Sequence, residues 1–406
     1  MRRRFLRLLI AALVLGASGK AEAEIEIGFA NPLTGPYALT GARNRIAVGM
    51  AVGALNQNGG VLGQKISLVA ADDACGLHQS VEAALQLVAA GVRVVIGHFC
   101  SHSSLLAAGI YETADVLMIS PSSTHPRLTE EGRHNVFRLT GRDDDQGALA
   151  GNFLATHWSG DEIAILHDGS IYGEGLAIEA RKQLRSRGVK EAIYDVYRPN
   201  EQDYGALAAR LQTEGIAALY VGGYGPDAAR ILRAVRARGD DLQLVSGDAL
   251  GMDEFWTIAG RAGMGAVFST RRNPATPPEA ADVLAGFRAR GLSPRAGGLP
   301  SYAAVQVWAQ AVERAGTLEP RAVANMLRRG RFDTVLGPVA FDFKGDLEDG
   351  AWQWQVWTDG SYQPMRASPG DDASAITPAS RSARRMLWPR PFTTRSRPYR
   401  SSAARR

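Results

Sequence analysis

The sequence predicts an α/β protein with two lobes, each a doubly wound parallel sheet. Short runs rich in β-branched residues alternate with longer amphipathic stretches from Glu24 onward, which is the pattern of βαβ units in parallel sheets. The alternation occurs in two series, and the roughly 340 residues that it spans are more than one hydrophobic core usually organises. Two lobes are therefore expected.

The strands and helices are predicted from composition and periodicity. Seven apolar runs are predicted as strands: 25–30, 65–72, 92–97, 116–120, 162–168, 217–223 and 242–247. Amphipathic stretches between them are predicted as helices: 80–91, 174–188, 203–215 and 226–239. Several of these stretches end at a glycine, as helices commonly do.

The loops that follow the predicted strands share one chemistry. In open parallel sheets, ligands bind at the carboxyl ends of the strands. These loops are rich in Ser, Thr, Tyr and Gly, and they lie at 31–41, 97–104, 120–126, 167–175, 222–227 and 246–251. Such loops suit a small polar ligand held by hydroxyls and by backbone N–H groups at helix N-termini.

The first 23 residues predict export. A basic head, a short apolar run and the ending Ala21-Glu22-Ala23 are typical of a secretory signal peptide, with cleavage after Ala23 and a periplasmic location for the mature protein. The apolar run is shorter than the roughly 20 residues that span a bilayer. The RRRFLR head is also compatible with twin-arginine export, and this alternative stays open.

The basic overall charge comes from the two ends of the chain. Of the net charge of +5, residues 1–23 contribute +4 and residues 367–406 contribute +7, which leaves −6 on residues 24–366. An acidic core gives no electrostatic case for a nucleic-acid partner. The Ser-, Pro- and Arg-rich segment 367–406 is predicted to be a disordered basic tail without a function of its own, and an interaction arm is the alternative.

The two cysteines allow two interpretations. An exported chain with the single pair Cys75 and Cys100 most simply forms one disulfide. Alternatively, His98, Cys100 and His102 would lie on one side of an extended chain, as in a metal clip. A cysteine in a disulfide is no thiolate ligand, and the spacing supplies no further partner, so we predict neither a metal nor a cofactor.

Sequence motifs give no support for an enzyme. The chain contains no G-x-S-x-G nucleophile elbow. The glycine-rich loop 167–175 lacks both the Lys-Ser/Thr ending of a P-loop and the G-x-G-x-x-G spacing.

The order of several motifs resembles one family, from about Ile25 to about Asp359. The motifs are NQNGGVLGQKI, DDAC, VVIGHFCS, TGRDDDQG, YGEGLA, YVGGYGP and FDTVLGPVAFDFKGDL. Individually they are weak, but their shared order and spacing resemble the periplasmic Leu/Ile/Val-binding proteins, the type I solute receptors of branched-chain amino acid ABC importers.

That resemblance implies the type I periplasmic-binding-protein fold, in which two lobes joined by a three-stranded hinge close on the ligand. Residues 24–143 and 272–345 would form lobe 1, and residues 144–271 and 346–366 would form lobe 2. It also implies a Cys75–Cys100 disulfide, a monomer, an amino acid ligand and an ABC permease as partner. A small-amide receptor and a sensor domain are the alternatives.

The resemblance also implies the binding residues. Ser101 and Thr124 match positions that donate to the ligand carboxylate. The Ser122 carbonyl, Thr124 and Asp248 match acceptors for the ammonium. Both sets are needed because burying the carboxylate or the ammonium of an amino acid without a partner costs several kcal/mol. The remaining predicted ligand-binding residues are Ser123, Cys100 and two aromatic residues of the second lobe, Tyr172 and Tyr224.

Several positions depart from the family pattern. Asp248 stands where many members carry Glu, and Thr40 stands where the best-known members place a Tyr, with Tyr37 three residues earlier. Ser122 and Ser123 replace small apolar residues. We therefore expect a pocket that is roomier or more polar than one tuned to Leu, Ile and Val. His102 replaces a serine, and whether it lines the pocket is left open.

Overall fold

The computed structural model describes residues 24–272, 278, 280–295 and 297–365. The predicted signal peptide and the predicted tail both lie outside the described residues.

The first sheet contains five parallel strands in the order β2-β1-β3-β4-β5. Its strands are β1 (Ile25–Asn31), β2 (Ile66–Asp72), β3 (Val94–Gly97), β4 (Leu117–Ser120) and β5 (Val136–Arg138). The helices that follow them are α1 (Ala38–Gln57), α2 (Leu77–Ala89), α3 (Ser101–Thr113) and α4 (Arg127–Glu130). Side chains of β3 alternate between the two cores that cover the sheet, Val94 and Ile96 on one face and Val95 on the other. Burial on both faces explains the continuous apolar runs of the sequence.

The second sheet contains seven strands in the order β14-β13-β10-β9-β8-β6-β7. Its strands are β6 (Glu162–His167), β7 (Ile193–Val196), β8 (Ile216–Gly222), β9 (Gln243–Ser246), β10 (Val267–Arg271), β13 (Trp352–Trp357) and β14 (Tyr362–Pro364). Its helices are α5 (Asp143–Trp158), α6 (Ile171–Ser186), α7 (Gly205–Thr213), α8 (Gly225–Ala237) and α9 (Asp253–Ala259). All neighbouring strands pair in parallel except β10 with β13 and β13 with β14.

Later segments return to the first lobe. They are α10 (Ala280–Ala289), α11 (Gly298–Ala315), α12 (Pro320–Arg329) and the antiparallel pair β11 (Arg331–Thr334) and β12 (Gly337–Ala340). Their buried side chains, Trp308 and Phe332 among them, pack in the same core as Ile27 and Phe29 of β1.

The chain passes between the lobes three times. The passages lie between β5 and β6, between β10 and α10, and between Leu347 and β13. Two of them touch, because the Trp352 indole N–H donates to the Arg142 carbonyl at 3.0 Å. A β-carbon on Gly141 would lie 2.7 Å from the Trp352 ring, so only glycine fits there. The boundaries predicted from the sequence remain a prediction.

The predicted two-lobed α/β architecture is confirmed. All seven predicted strands are present within two residues of the predicted bounds, and all four predicted helices form. Their final glycines Gly91, Gly188, Gly215 and Gly239 have φ between 65° and 79°, the left-handed conformation that ends helices. Among the described residues, no helix combines the length and apolar character needed to cross a membrane.

Candidate functional site

A cavity of about 520 Å³ lies where the loops from the two sheets meet. Six residues predicted as ligand contacts line it: Ser101, Ser122, Thr124, Tyr172, Tyr224 and Asp248. The first three follow strands of the first sheet and the last three follow strands of the second. The fold thus brings together positions that are up to 147 residues apart in the sequence (101 to 248).

The first lobe presents hydroxyl groups to the cavity. Ser101 is the first residue of α3, and its hydroxyl lies 3.4 Å from the His125 N–H, which donates to it. The Ser122 hydroxyl is buried and has no hydrogen-bond partner among the described residues. A buried polar group without a partner costs free energy, so these hydroxyls are suited to bind a polar ligand group.

The second lobe presents a carboxylate. Asp248 starts a short 3-10 turn directly after β9, and its Oδ1 accepts hydrogen bonds from the Tyr172 hydroxyl at 2.8 Å and from the Gln146 amide at 3.3 Å. Burial raises the pKa of Asp248, and these hydrogen bonds oppose the rise. A cation beside this carboxylate would stabilise its ionised form.

A second buried carboxyl group, Asp143, lies next to these residues. It is the first residue of α5, and its N–H donates to the Thr124 carbonyl at 3.0 Å. Burial, together with the charge of Asp248, raises the pKa of Asp143 well above its ordinary value. Asp143 and Gln146 are not among the site residues predicted from the sequence. The sequence feature that could have indicated them is the TGRDDDQG run. The first of its three successive aspartates, Asp143, is fully buried.

Aromatic rings form one wall of the site. Tyr224 contacts Tyr172 at 5.1 Å, Phe99 at 6.4 Å and Tyr37 at 4.7 Å between ring centroids. Tyr37 and Phe99 belong to the first lobe, so this wall joins the two lobes. Such tilted aromatic pairs add roughly 0.5–1.5 kcal/mol each to the energy of burial.

Two predicted ligand contacts do not line the cavity. The Ser123 hydroxyl is buried and hydrogen-bonded to the Ser104 hydroxyl at 2.7 Å. Cys100 is also buried, and the predicted disulfide with Cys75 is confirmed, with a Cα–Cα distance of 5.7 Å. The hydrogen bond of Ser123 and the disulfide of Cys100 therefore hold the loops that carry Ser101 and Thr124 in place.

The histidines of the HFCSH stretch have separate structural partners. His98 is fully buried between Asp73, 2.7 Å from Nδ1, and Tyr111, 3.0 Å from Nε2. His102 Nε2 lies 2.7 Å from the Cys75 carbonyl, so it supports the disulfide loop and does not line the cavity. In the part of the chain that the structure describes, no cluster of three or more His, Cys, Asp or Glu side chains could hold a metal ion.

A buried arginine fixes the loop after β4. Arg138 donates to the carbonyls of His125 at 3.0 Å and Ser123 at 3.4 Å, and it pairs with Asp346 near the third passage between the lobes. Removing one member of such a buried pair typically destabilises a protein by about 3–5 kcal/mol. The position of Thr124 is therefore linked to the hinge.

Thr40 makes a direct contact between the two lobes. Its N–H and hydroxyl donate to the two carboxylate oxygens of Glu254, at 2.9 and 2.6 Å. Arg43, one turn further along α1, pairs with Asp253. The family resemblance places this position near the ligand side chain. In this structure Thr40 does not line the cavity, and it makes a contact between the lobes instead.

Comparisons with known proteins agree with this architecture. A sequence profile described as periplasmic binding protein matches residues 24–356. The Leu/Ile/Val-binding protein homolog 1 of Brucella suis biovar 1 is 37% identical over 366 residues, which cover 89% of this chain and 99% of that protein. The leucine-, isoleucine-, valine-, threonine-, and alanine-binding protein of Pseudomonas aeruginosa is 37% identical over 350 residues, 86% of this chain and 94% of that one. The crystal structure of a leucine binding protein from Thermotoga maritima has a TM-score of 0.77 at 26% identity and covers 84% of this chain and 97% of its own.

Proposed function

This chain belongs to the periplasmic binding protein family, and from that premise we propose that it captures an amino acid between its two lobes and delivers it to an ABC importer. The relatives named above bind leucine and other amino acids, and their names motivate the ligand class. The family consists of binding proteins and not of enzymes, and it acts in the periplasm.

The observation that supports this proposal most directly is that one cavity carries hydroxyl donors on one wall and a carboxylate acceptor on the other. Ser101, Ser122 and Thr124 offer hydroxyls on one wall, and Asp248 offers a carboxylate on the other. An amino acid carries a carboxylate and an ammonium on the same carbon. Because each charge needs its own partner when it leaves water, this arrangement suits the zwitterion.

The proposed binding sequence uses both lobes. The ligand carboxylate binds first to the hydroxyls beside the N-terminus of α3, which favours an anion. Closure then brings Asp248, Tyr172 and Tyr224 onto the ammonium and the hydrocarbon part of the ligand. The permease would recognise the closed protein, a monomer, by contacts with both lobes at once.

A thermal-shift screen of the mature protein against the 20 amino acids and small amides tests the proposal. A ligand at about 1,000 times its Kd stabilises the folded state by about 4 kcal/mol, which raises Tm by several degrees. Asp248→Asn should lose most of the shift, whereas Asp241→Asn, which changes an exposed aspartate, should keep it. The proposal is wrong if no amino acid or amide moves the transition.

A further inference from the structure

The cavity continues well beyond the residues proposed to hold the amino and carboxylate groups. The volume of the cavity is about 520 Å³. If each of the nine heavy atoms of leucine took up as much space as a water molecule does in the liquid, roughly 30 Å³, leucine would fill only about half of the cavity. The remainder extends between the end of β10, the strands β13 and β14, and the loop before α11. This part of the cavity is called the distal part below.

The distal part is lined by hydrogen-bonding side chains. They include Thr270 and Arg271 at the end of β10, Gln353 and Gln355 on β13, and Arg295 before α11. Within the described residues, Asp248 is the only acidic side chain on the cavity wall, and it lies just after β9, the strand that pairs with β10. The wall therefore combines hydrogen-bonding groups with apolar side chains such as Leu299 and Leu336, so it matches a side chain that is partly apolar and ends in a polar group better than a purely aliphatic one.

Arg295 is held by several contacts, and both arginines are partly desolvated. Arg295 donates to the Gly360 carbonyl at 2.6 Å, lies 3.4 Å from Asp253 and faces the ring of Trp357 at 5.1 Å. Burial lowers the pKa of Arg295 and of Arg271, while the charge of Asp349 partly offsets this for Arg271. A preorganised and partly desolvated guanidinium binds carbonyl and carboxylate oxygens strongly.

The amide of Gln355 adds a further hydrogen-bonding group. Its Nε2 donates to the Thr270 hydroxyl at 3.1 Å, whereas its Oε1 is buried and has no partner among the described residues. Gln355 is 95% buried, since only 5% of its surface is exposed. A core built around an aliphatic ligand would leave this amide poorly satisfied.

We infer that the preferred ligand is an amino acid whose side chain ends in a carbonyl oxygen, as a carboxamide or a carboxylate, and that Arg271 is the main donor to it. This inference rests on the proposed function. With the zwitterion held by Ser101, Thr124 and Asp248, the side chain extends toward the end of β10. Glutamine and glutamate carry the shared chemistry, and they differ in charge and in whether they can donate to Gln355.

Calorimetric titrations with leucine, glutamine and glutamate test the inference. Hydrogen bonds to charged groups contribute about 1.5–3 kcal/mol, so glutamine or glutamate should bind at least roughly tenfold more tightly than leucine. Arg271→Gln should remove about that preference and change leucine affinity by less than about threefold. Arg272→Gln is the matched control, because Arg272 is the exposed neighbour with the same charge.

The outcomes separate this inference from the proposed function. Leucine binding more tightly than both glutamine and glutamate, or an equal loss for all three ligands in Arg271→Gln, would overturn the inference alone. Absence of binding for every amino acid would overturn the proposed function as well. If Arg271→Gln has a lower Tm than Arg272→Gln, the half-buried Gln353→Leu variant provides a second comparison. It should reduce the preference by a smaller factor because Arg271 is kept, and an unchanged preference would overturn the inference.

Discussion

The carboxylate of Glu254 is held at both oxygens by Thr40, although 214 residues separate the two in the sequence. One bond comes from the hydroxyl and the other from the backbone N–H, and both residues are buried. Thr40 belongs to α1 behind the first sheet, and Glu254 belongs to α9 behind the second. This pair is therefore a direct hydrogen-bonded contact between the two lobes.

Thr40→Val should speed ligand release. The change removes the hydroxyl bond and keeps both the backbone N–H and the shape of the side chain. A hydrogen bond to a charged group contributes about 1.5–3 kcal/mol, so we expect roughly a tenfold loss of affinity or more, mostly in the dissociation rate. Stopped-flow dissociation measurements check this.

The control for Thr40→Val is Glu82→Gln, since Glu82 is exposed on α2 and its ion-pair partner is the exposed His78. Small-angle scattering without ligand should show a more open average shape for Thr40→Val. An unchanged dissociation rate would mean that Glu254 does not stabilise closure.

Tyr172→Phe should weaken binding without unfolding the protein. It removes the hydroxyl that donates to Asp248 and accepts from the Ala249 N–H at 3.2 Å. Because that bond opposes the raised pKa of Asp248, its loss should leave more of this carboxyl protonated. We expect about a tenfold lower affinity at neutral pH, recovering in part at higher pH, by calorimetry.

Phenylalanine is the better substitution because Tyr172 is only 4% exposed. Alanine would leave a hole in the core and cost roughly 3–5 kcal/mol of folding stability. Tyr194→Phe, outside the cavity and stacked on Arg181, is the matched control. Equal affinities of Tyr172→Phe and the unaltered protein would remove the Tyr172 hydroxyl from the site.

Ligand affinity should rise with pH on the acidic side. Burial raises the pKa of Asp143 and of Asp248 above the ordinary value of 3.8, so the ligand-free protein keeps protons on these carboxyls above that pH. A ligand ammonium favours the ionised forms. Binding therefore releases protons, and affinity rises from pH 3.8 up to the raised pKa, by at most about tenfold per pH unit for each proton.

Calorimetry in two buffers of different ionisation enthalpy measures the number of protons released. Asp248→Asn and Asp143→Asn should each reduce that number. Proton uptake on binding would contradict the proposal that Asp248, with Asp143 beside it, faces the ligand ammonium.

His125 should make the folded protein less stable in mild acid. Burial, together with the charges of Arg127 and Arg138, lowers the pKa of His125 from 6.5 to about 4. The unfolded chain therefore binds this proton first as the pH falls. The stability contributed by neutral His125 is complete above pH 6.5 and is lost between pH 6.5 and about 4.

Urea unfolding at neutral pH and near pH 4 checks the His125 prediction. The loss of free energy of unfolding should be smaller in His125→Gln than in the unaltered protein. His78→Gln is the control, because the His78 side chain is 81% exposed. Identical losses in all three proteins would show that His125 does not contribute.

The parallel strands were predictable because their side chains are buried on both faces. β7 and β10 were not predicted, since their runs IYDV and VFSTR mix polar and apolar residues. β13, with the sequence WQWQVW, pairs with β10 at a distance of more than 80 residues. Its strand character depends on that partner, and no local signal in a single chain specifies such pairing.

The site was predictable where a residue directly follows a strand. Parallel topology predicts that the loops after the strands meet at one edge, and the family resemblance singles out Ser101, Thr124, Tyr224 and Asp248 within those loops. Asp143 follows a passage between the lobes instead, so its burial depends on how the lobes sit together. The bond between Thr40 and Glu254 is likewise a consequence of lobe geometry that sequence periodicity does not encode.

The contact between Gly141 and the segment around Gly350 and Trp352 sets the spacing of two of the three passages. The backbones of Gly141 and Gly350 are in direct contact there, with no side chain of either residue between them. A single methyl group at residue 141 would push the two segments apart and change the angle between the lobes. The absence of one carbon atom therefore helps to decide how far the two lobes can close.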